Sequence, residues 1–353
     1  MSSSISILGR KIGPAEPPYV IAELSANHNG SLERALAIVD AAHKAGAQAV
    51  KLQSYRADTI TIDHDGPEFI VHGGLWDGYK LYDLYAEAAM PWEWHEPLFK
   101  RARELGIAMY SSPFDATAVD LLERLGAPAY KIASLELCDI PLIERVARTG
   151  KPIVMSTGAS ELDEVAEAVA AARAAGANEL VLLHCTSGYP TPARDSNMQT
   201  IADLAKKFDI IVGLSDHTMG TAVPVAAVAL GAAVIEKHVT LRRADGGVDS
   251  AFSLEPEELA RLVEDVNVAW EAKGSIFYGL AESERAARKF RRSLYVVMDL
   301  KAGQAIGPEH VRSIRPGLGL PPKHLKAVIG RRATRDVKRG TPLDWTMVDR
   351  SES

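Results

Sequence analysis

The chain has 353 residues, 47% of them apolar, and a formal charge of −6. That is enough apolar material for one large core, and the acidic balance excludes a protein that works through a broad basic field on nucleic acid or an anionic membrane; a phosphate-bearing ligand would need its own local basic pocket. The two cysteines, Cys138 and Cys185, form no C-x-x-C pair, so neither a disulfide framework nor a structural zinc site is expected, and a reducing cytoplasm is.

The chain opens on Met1-Ser-Ser-Ser-Ile without a basic stretch leading into an apolar run, so no secretory signal is expected. From about residue 18 to 275 two textures alternate. Short apolar or β-branched runs at 19–23, 49–53, 108–112, 129–134, 153–157, 180–184, 210–215 and 233–238 predict strands. Stretches with helical spacing at 32–45, 92–105, 116–125, 140–149, 162–175, 198–208, 221–230 and 256–272 predict helices. Gly46, Gly106, Gly126, Gly150, Gly176 and Gly231 fall where left-handed helix caps are expected. The most apolar stretch, 223–235, is too short to cross a bilayer and reads as a buried helix plus strand. Strict alternation of this kind predicts a closed parallel (β/α)8 TIM barrel. A doubly wound open sheet is the alternative, disfavoured because no G-x-G-x-x-G follows the first strand.

Segment 54–91 breaks the rhythm. It is far longer than an ordinary βα loop and carries four glycines, His72, Trp76 and several tyrosines, so an ordered lid or binding loop is expected rather than a disordered insertion. After about residue 276 the texture changes again. A basic stretch at 283–292 leads into short strand-like runs at 293–297 and 311–314, with Gly/Pro turns around them. The expected division is a barrel at 1–278, a linker at 279–291 and a small β-rich domain at 292–353.

In a parallel barrel all C-terminal strand ends face one rim, and active sites sit there. The predicted strand ends bring to it Glu23; Lys51 and Gln53; Ser111 and Ser112; Lys131, Ser134 and Glu136; Ser156 and Thr157; His184 and Thr186; Ser215, Asp216 and His217; and Glu236, Lys237 and His238. Lys51 and Lys131 have apolar flanks. A lysine inside a buried strand must meet an anion or lose its charge. With Ser134, Ser156 and Thr157 the two lysines predict a cradle for a phosphate and a carboxylate, the two groups that phosphoenolpyruvate carries. A Schiff-base lysine, as in barrel aldolases, is the rival chemistry, and a lysine snorkelling to the rim is the plain structural alternative.

His217 and His238 end neighbouring strands and could share one metal with oxygens from water and substrate. That set suits Mn²⁺, with Mg²⁺ or Co²⁺ as alternatives, and suits structural zinc less well. Glu23, Glu236 and Asp249 are the acidic groups expected nearby. His28, His43 and His95 read as packing or surface residues, and Asn27-His-Asn-Gly-Ser as a turn and helix cap. Cys185 neighbours His184, but adjacent strand residues point to opposite faces, so no thiol–imidazole couple is expected between those two. A carbohydrate- or ice-binding protein, hinted at only by the small tail, would leave the polar strand ends unexplained.

Ile21-Ala-Glu-Leu-Ser-Ala-Asn-His-Asn-Gly-Ser, Val50-Lys-Leu-Gln, Ser112-Pro-Phe-Asp, Tyr130-Lys-Ile-Ala-Ser, Ser156-Thr-Gly, Leu183-His-Cys-Thr-Ser-Gly-Tyr-Pro-Thr, Gly213-Leu-Ser-Asp-His-Thr and Glu236-Lys-His-Val-Thr, in this order, resemble the sialic acid synthase family. The tail from Arg292-Ser-Leu-Tyr through Arg315-Pro-Gly resembles that family's C-terminal antifreeze-like (SAF) domain. The resemblance implies a metal-dependent condensation of phosphoenolpyruvate with an amino-sugar aldehyde. It implies that Lys51, Lys131, Ser134, Ser156 and Ser215 bind phosphoenolpyruvate and that His217 and His238 hold the metal. Gln53, Tyr189 and Asp249 would contact the sugar, with Glu23 and Glu136 joining the two lysines in the catalytic set. Arg315 would reach the sugar from a neighbouring subunit, which makes a domain-swapped homodimer.

Within the family, Phe69-Ile-Val-His-Gly-Gly-Leu-Trp-Asp-Gly, Leu81-Tyr-Asp-Leu-Tyr and Trp92-Glu-Trp-His resemble the branch whose sugar is a 2,4-diacetamido-2,4,6-trideoxy hexose, and the resemblance implies that sugar here. The neuraminate and legionaminate branches are the runners-up. Against neuraminate, Ala133-Ser-Leu-Glu stands where those enzymes often carry Gly-Ser-Gly-Glu, and Ser187 stands where they carry Asn.

Overall fold

The first element is a hairpin that the texture of the sequence does not announce. In the computed structural model, which describes residues 4–349, β1 (Ile5–Ile7) and β2 (Arg10–Ile12) pair antiparallel. Residues 1–3, where no secretory signal is expected, and 350–353 lie outside the described residues. Ile5, Ile7 and Ile12 are buried in one cluster with Tyr19, Ile21, Ala49 and Ala108, so the hairpin plugs the N-terminal end of a barrel built from the next eight strands.

Those eight strands are parallel: β3 (Tyr19–Glu23), β4 (Ala49–Ser54), β5 (Ala108–Pro113), β6 (Tyr130–Ile132), β7 (Ile153–Ser156), β8 (Leu180–Cys185), β9 (Ile211–Asp216) and β10 (Val234–His238). The barrel closes where β10 pairs back onto β3. The alternation of faces along a strand decides what sits where. Tyr19, Tyr110, Val154, Val181, Leu183 and Val234 fill the barrel interior. Val20, Leu52, Ile132, Met155, Leu182, Leu214 and Ile235, of the opposite parity, pack outward against the helices.

The outer ring is α1 (Leu32–Lys44), then α4 (His95–Leu105), α5 (Ala116–Leu125), α6 (Ile140–Ala147), α7 (Leu162–Ala174), α8 (Gln199–Phe208), α9 (Ala222–Ala229) and α10 (Pro256–Lys273). Between α1 and α4 the excursion carries α2 (Ala57–Ile60) and α3 (Leu81–Ala88), so it is an ordered segment. Helix α5 shows why these stretches start and stop where they do. The Asp115 carboxylate accepts hydrogen bonds from the Thr117 and Ala118 amides at its start. Its apolar stripe, Ala118, Val119 and Leu122, is buried, and it ends at Gly126, whose φ of 73° only glycine adopts without strain.

The chain divides into two units, the first ending at Gly274 and the second starting at Ser275. The second holds the antiparallel pair β11 (Ser293–Val296) and β12 (Val311–Ile314), and the short α11 (Leu325–Val328). Its own core is Leu294, Val296, Leu300, Ile306, Val328 and Leu343. Among the described residues no helix is long and apolar enough to cross a membrane.

Candidate active site at the barrel mouth

The interior parity that stacks apolar residues low in the barrel continues upward into polar ones. Glu23 pairs in register with Lys51, and Glu236 with Ser215, so these four side chains converge. Lys51 Nζ lies 3.0 Å from Glu236 Oε1 and 3.1 Å from Glu23 Oε2. Burial works against its charge, but the two carboxylates outweigh that and keep Lys51 protonated. One ammonium between two buried carboxylates favours one proton on the pair. Burial pushes Glu23 up, whereas the two lysines hold Glu236 down in spite of its burial. Gln53 Nε2 donates to Glu23 Oε1 at 3.1 Å, and Ser215 Oγ donates to Glu236 Oε1 at 3.0 Å.

Lys131 has no carboxylate bonded to it. Its Nζ donates to Ser156 Oγ at 2.6 Å and to the Ile132 carbonyl at 2.8 Å, and burial pulls its pKa down to about 8. Beside it, the Gly158 amide donates to Ser134 Oγ at 3.1 Å. A Cβ on Gly158 would stand 2.2 Å from Ser187 Oγ, 2.7 Å from Ser134 Oγ and 3.0 Å from Cys185 Sγ. The glycine therefore keeps open a small space ringed by hydroxyls and one ammonium, which is the chemistry an anion needs. Glu136, on the turn after β6, is pushed up to about 7 by burial.

His217 and His238 face one another with ring centroids 5.3 Å apart. His217 Nδ1 is taken by the Thr186 carbonyl at 3.1 Å, which leaves Nε2 for the cavity. His238 Nδ1 is buried without a hydrogen-bond partner, and burial together with His217 holds its pKa well below the usual value. A neutral imidazole with an orphaned nitrogen fits a metal ligand. Among the described residues no three His, Cys, Asp or Glu side chains converge as a ligand set, so a metal here would complete its shell with water and substrate oxygens.

These groups line one cavity of about 260 Å³, with Gln53, Tyr189 and Asp249 also on its wall. Glu23 lies just beneath, bonded to Lys51 and Gln53. The Asp249 carboxylate accepts from the Ser25 hydroxyl, and the Tyr189 ring packs on His217 at 4.4 Å. Lys51, Lys131, Ser134, Glu136, Ser156, Ser215, His217 and His238 thus share one site. Arg315 stands exposed just past β12 in the second unit.

Several expected rim residues do not join it. His184 turns outward to the Ser196 carbonyl at 2.6 Å, and Lys237 pairs outside the barrel with Asp216 at 2.5 Å. Thr157, expected in the cradle, donates to the Leu183 carbonyl instead. Their strand parity sends them outward. Cys185, whose parity sends it inward, reaches the cavity with its sulfur 3.9 Å from His217 Nδ1. Sequence reasoning rightly excludes a couple with His184 but misses this one. It also misses Ser25, Tyr55, Ile60, Leu84 and Phe114 on the cavity wall, which only the folded excursion and loops bring there.

A closed parallel barrel that gathers two buried lysines, serine hydroxyls and paired histidines at its C-terminal mouth, followed by a small β unit, is the build of a synthase of the sialic acid type. The chain belongs to the NeuB family, whose model matches residues 38–278, and residues 291–349 match the SAF domain. It is 44% identical to the pseudaminic acid synthase of Campylobacter jejuni subsp. jejuni over 92% of this chain and 95% of that one. It is 40% identical to the pseudaminic acid synthase of Helicobacter pylori over 95% and 99% of the two chains. The crystal structure of N-acetylneuraminic acid synthetase from Leptospira borgpetersenii, in complex with citrate, superposes with a TM-score of 0.72 at 32% identity, covering 81% of this chain and 95% of that one.

Proposed function

We propose that this enzyme condenses phosphoenolpyruvate with 2,4-diacetamido-2,4,6-trideoxy-L-altrose to give pseudaminic acid and phosphate. The observation that carries the reading is the buried lysine pair. Lys51 is held charged and Lys131 is left without a carboxylate partner, over Ser134, Ser156 and Ser215. Such a set supplies charge-assisted hydrogen bonds to a phosphate and a carboxylate at once. Gln53, Tyr189 and Asp249 would hold the open-chain sugar with its aldehyde carbon against C3 of phosphoenolpyruvate, and this positioning supplies much of the rate. C3 attacks that carbon, and the aldehyde oxygen becomes a hydroxyl by taking the proton that burial keeps on Glu23. The cationic charge that grows at C2 is met by water, and Glu23 takes the proton this water gives up. Phosphate then leaves with C–O cleavage, held by the two lysines. Glu136 borders the sugar end. His217 and His238 would hold a divalent metal, Mn²⁺ before Mg²⁺ or Co²⁺, which when bound polarises the aldehyde as a Lewis acid. Arg315 of a second copy is assigned to the sugar, in a domain-swapped homodimer working in the cytoplasm.

The test is phosphate release from phosphoenolpyruvate with a panel of hexosamine-derived sugars, with and without Mn²⁺. No release with any sugar overturns the synthase reading. Release with N-acetylmannosamine but not with the altrose derivative overturns the choice of sugar. Trapping of a pyruvate adduct on Lys131 by borohydride would favour aldolase chemistry instead.

A further inference from the structure

The cavity changes character with height. Its floor is charged, but the wall contributed by the excursion carries no ionisable carboxylate, ammonium or imidazole. Ile60, Val71, Trp76 and Leu84 line it, with Phe114 from the loop after β5. Trp76 spends its one polar atom on the Val248 carbonyl, to which Nε1 donates at 3.1 Å, and lays its ring against Tyr189 at 5.4 Å. The hydroxyls on this wall belong to Tyr55 and Tyr85, and the Tyr55 ring stands edge-on to Phe114 at 5.0 Å and to Tyr85 at 6.1 Å. A substrate hydroxyl pointed at Val71, Leu84 and Phe114 would lose its water without a partner in return, whereas a methyl group would lose nothing.

We propose that this wall receives the methyl-bearing substituents of the sugar, the C6 carbon of a 6-deoxy ring and an acetamido methyl, and that Val71, Leu84 and Phe114 set the preference for a 6-deoxy sugar over its 6-hydroxy counterpart. The assignment rests on the synthase reading above and identifies the part of the cavity that chooses the sugar. An apolar surface rejects an added hydroxyl only moderately, so the expected preference is about 10- to 100-fold in kcat/KM.

Phosphate release is measured with the 6-deoxy altrose derivative and with its 6-hydroxy counterpart, on full-length wild type, Val71→Thr and Leu84→Asn. Val71→Thr keeps the shape and adds one hydroxyl at a half-buried position, so it guards against loss of the fold in Leu84→Asn. The expected result is a wild-type preference that narrows by about threefold or more in either variant, with KM for phosphoenolpyruvate unchanged. Equal kcat/KM for the two sugars in wild type, or an unaltered ratio in both variants, overturns the wall assignment and leaves the synthase standing. Release with neither sugar overturns both.

Discussion

Lys51 Nζ stands 3.0 Å from Glu236 Oε1, and both side chains are almost wholly buried. With Glu23 at 3.1 Å on its other side, the lysine is the counter-charge for two carboxylates, and the proposed function also makes it a ligand for the substrate anion. Lys51→Met should therefore fail twice. Loss of the anion contact should lower kcat/KM for phosphoenolpyruvate by about 10³-fold or more, and loss of the buried pair should cost about 3–5 kcal/mol of stability. Lys51 lowers the pKa of both Glu23 and Glu236, so without it the folded chain holds their protons to higher pH than the unfolded chain does. The variant should accordingly lose stability as pH rises from acid toward neutral. Urea unfolding at several pH values checks this, and a deficit that shrinks with rising pH would refute it.

The second lysine gives the upper limb of the pH profile. Burial brings Lys131 from 10.5 to about 8, with Glu236 acting in the opposite sense. Because kcat/KM reports the free enzyme, it should fall by about tenfold per pH unit above pH 8. At saturating phosphoenolpyruvate the bound anion favours the charged lysine, so the fall in kcat should begin at higher pH. A kcat/KM that stays flat to about pH 9.5 would exclude Lys131 as the titrating anion ligand.

Gly158→Ala tests the cradle. The added carbon would overlap the space between Ser134 Oγ and Ser187 Oγ while leaving the barrel core alone. Phosphoenolpyruvate binding should weaken by about 10²-fold, the scale of an ångström-sized misplacement, with the melting temperature within a few degrees of wild type. Isothermal titration with phosphoenolpyruvate and a thermal melt separate the two effects.

Chelation tests the histidines. Two imidazoles do not hold the fold together, so treatment with EDTA should abolish phosphate release and leave the circular dichroism spectrum unchanged. Mn²⁺ should restore release in wild type but not in His238→Ala. A Mn²⁺-dependent rise in melting temperature should likewise vanish in that variant. Equal stabilisation of wild type and His238→Ala would place the metal elsewhere.

The barrel was legible because its strands and helices differ in period, and the lysines stood out because apolar neighbours surround them. What escaped is what depends on orientation. Lys237 and Asp216 look like rim groups in sequence, yet one residue of parity turns them outward to each other, where they form a buried pair of their own. Cys185 is one position from His184, and the same parity turns it inward beside His217. The hairpin of Ile5, Ile7 and Ile12 was too short to register as strands, although its alternation around Leu8-Gly9 was there to be seen. The wall was legible only as a binding loop somewhere in 54–91; which of its side chains face the cavity was not, because Ile60, Val71, Leu84 and Phe114 are distant in sequence and share no period.

Ser54, where the excursion leaves β4, and His95, where α4 begins, are tied by a hydrogen bond of 2.7 Å between Oγ and Nε2. The detour is pinched at its neck, and changing the length of a loop closed in this way costs little chain entropy. The stretch proposed to touch the sugar can thus be lengthened, shortened or exchanged with a relative's as a cassette, without disturbing the strands that carry Lys51, Lys131 and His238 and lead into His217. New products can arise on an old engine, and a designer wanting a different nine-carbon acid has forty-odd residues to redraw rather than a whole enzyme.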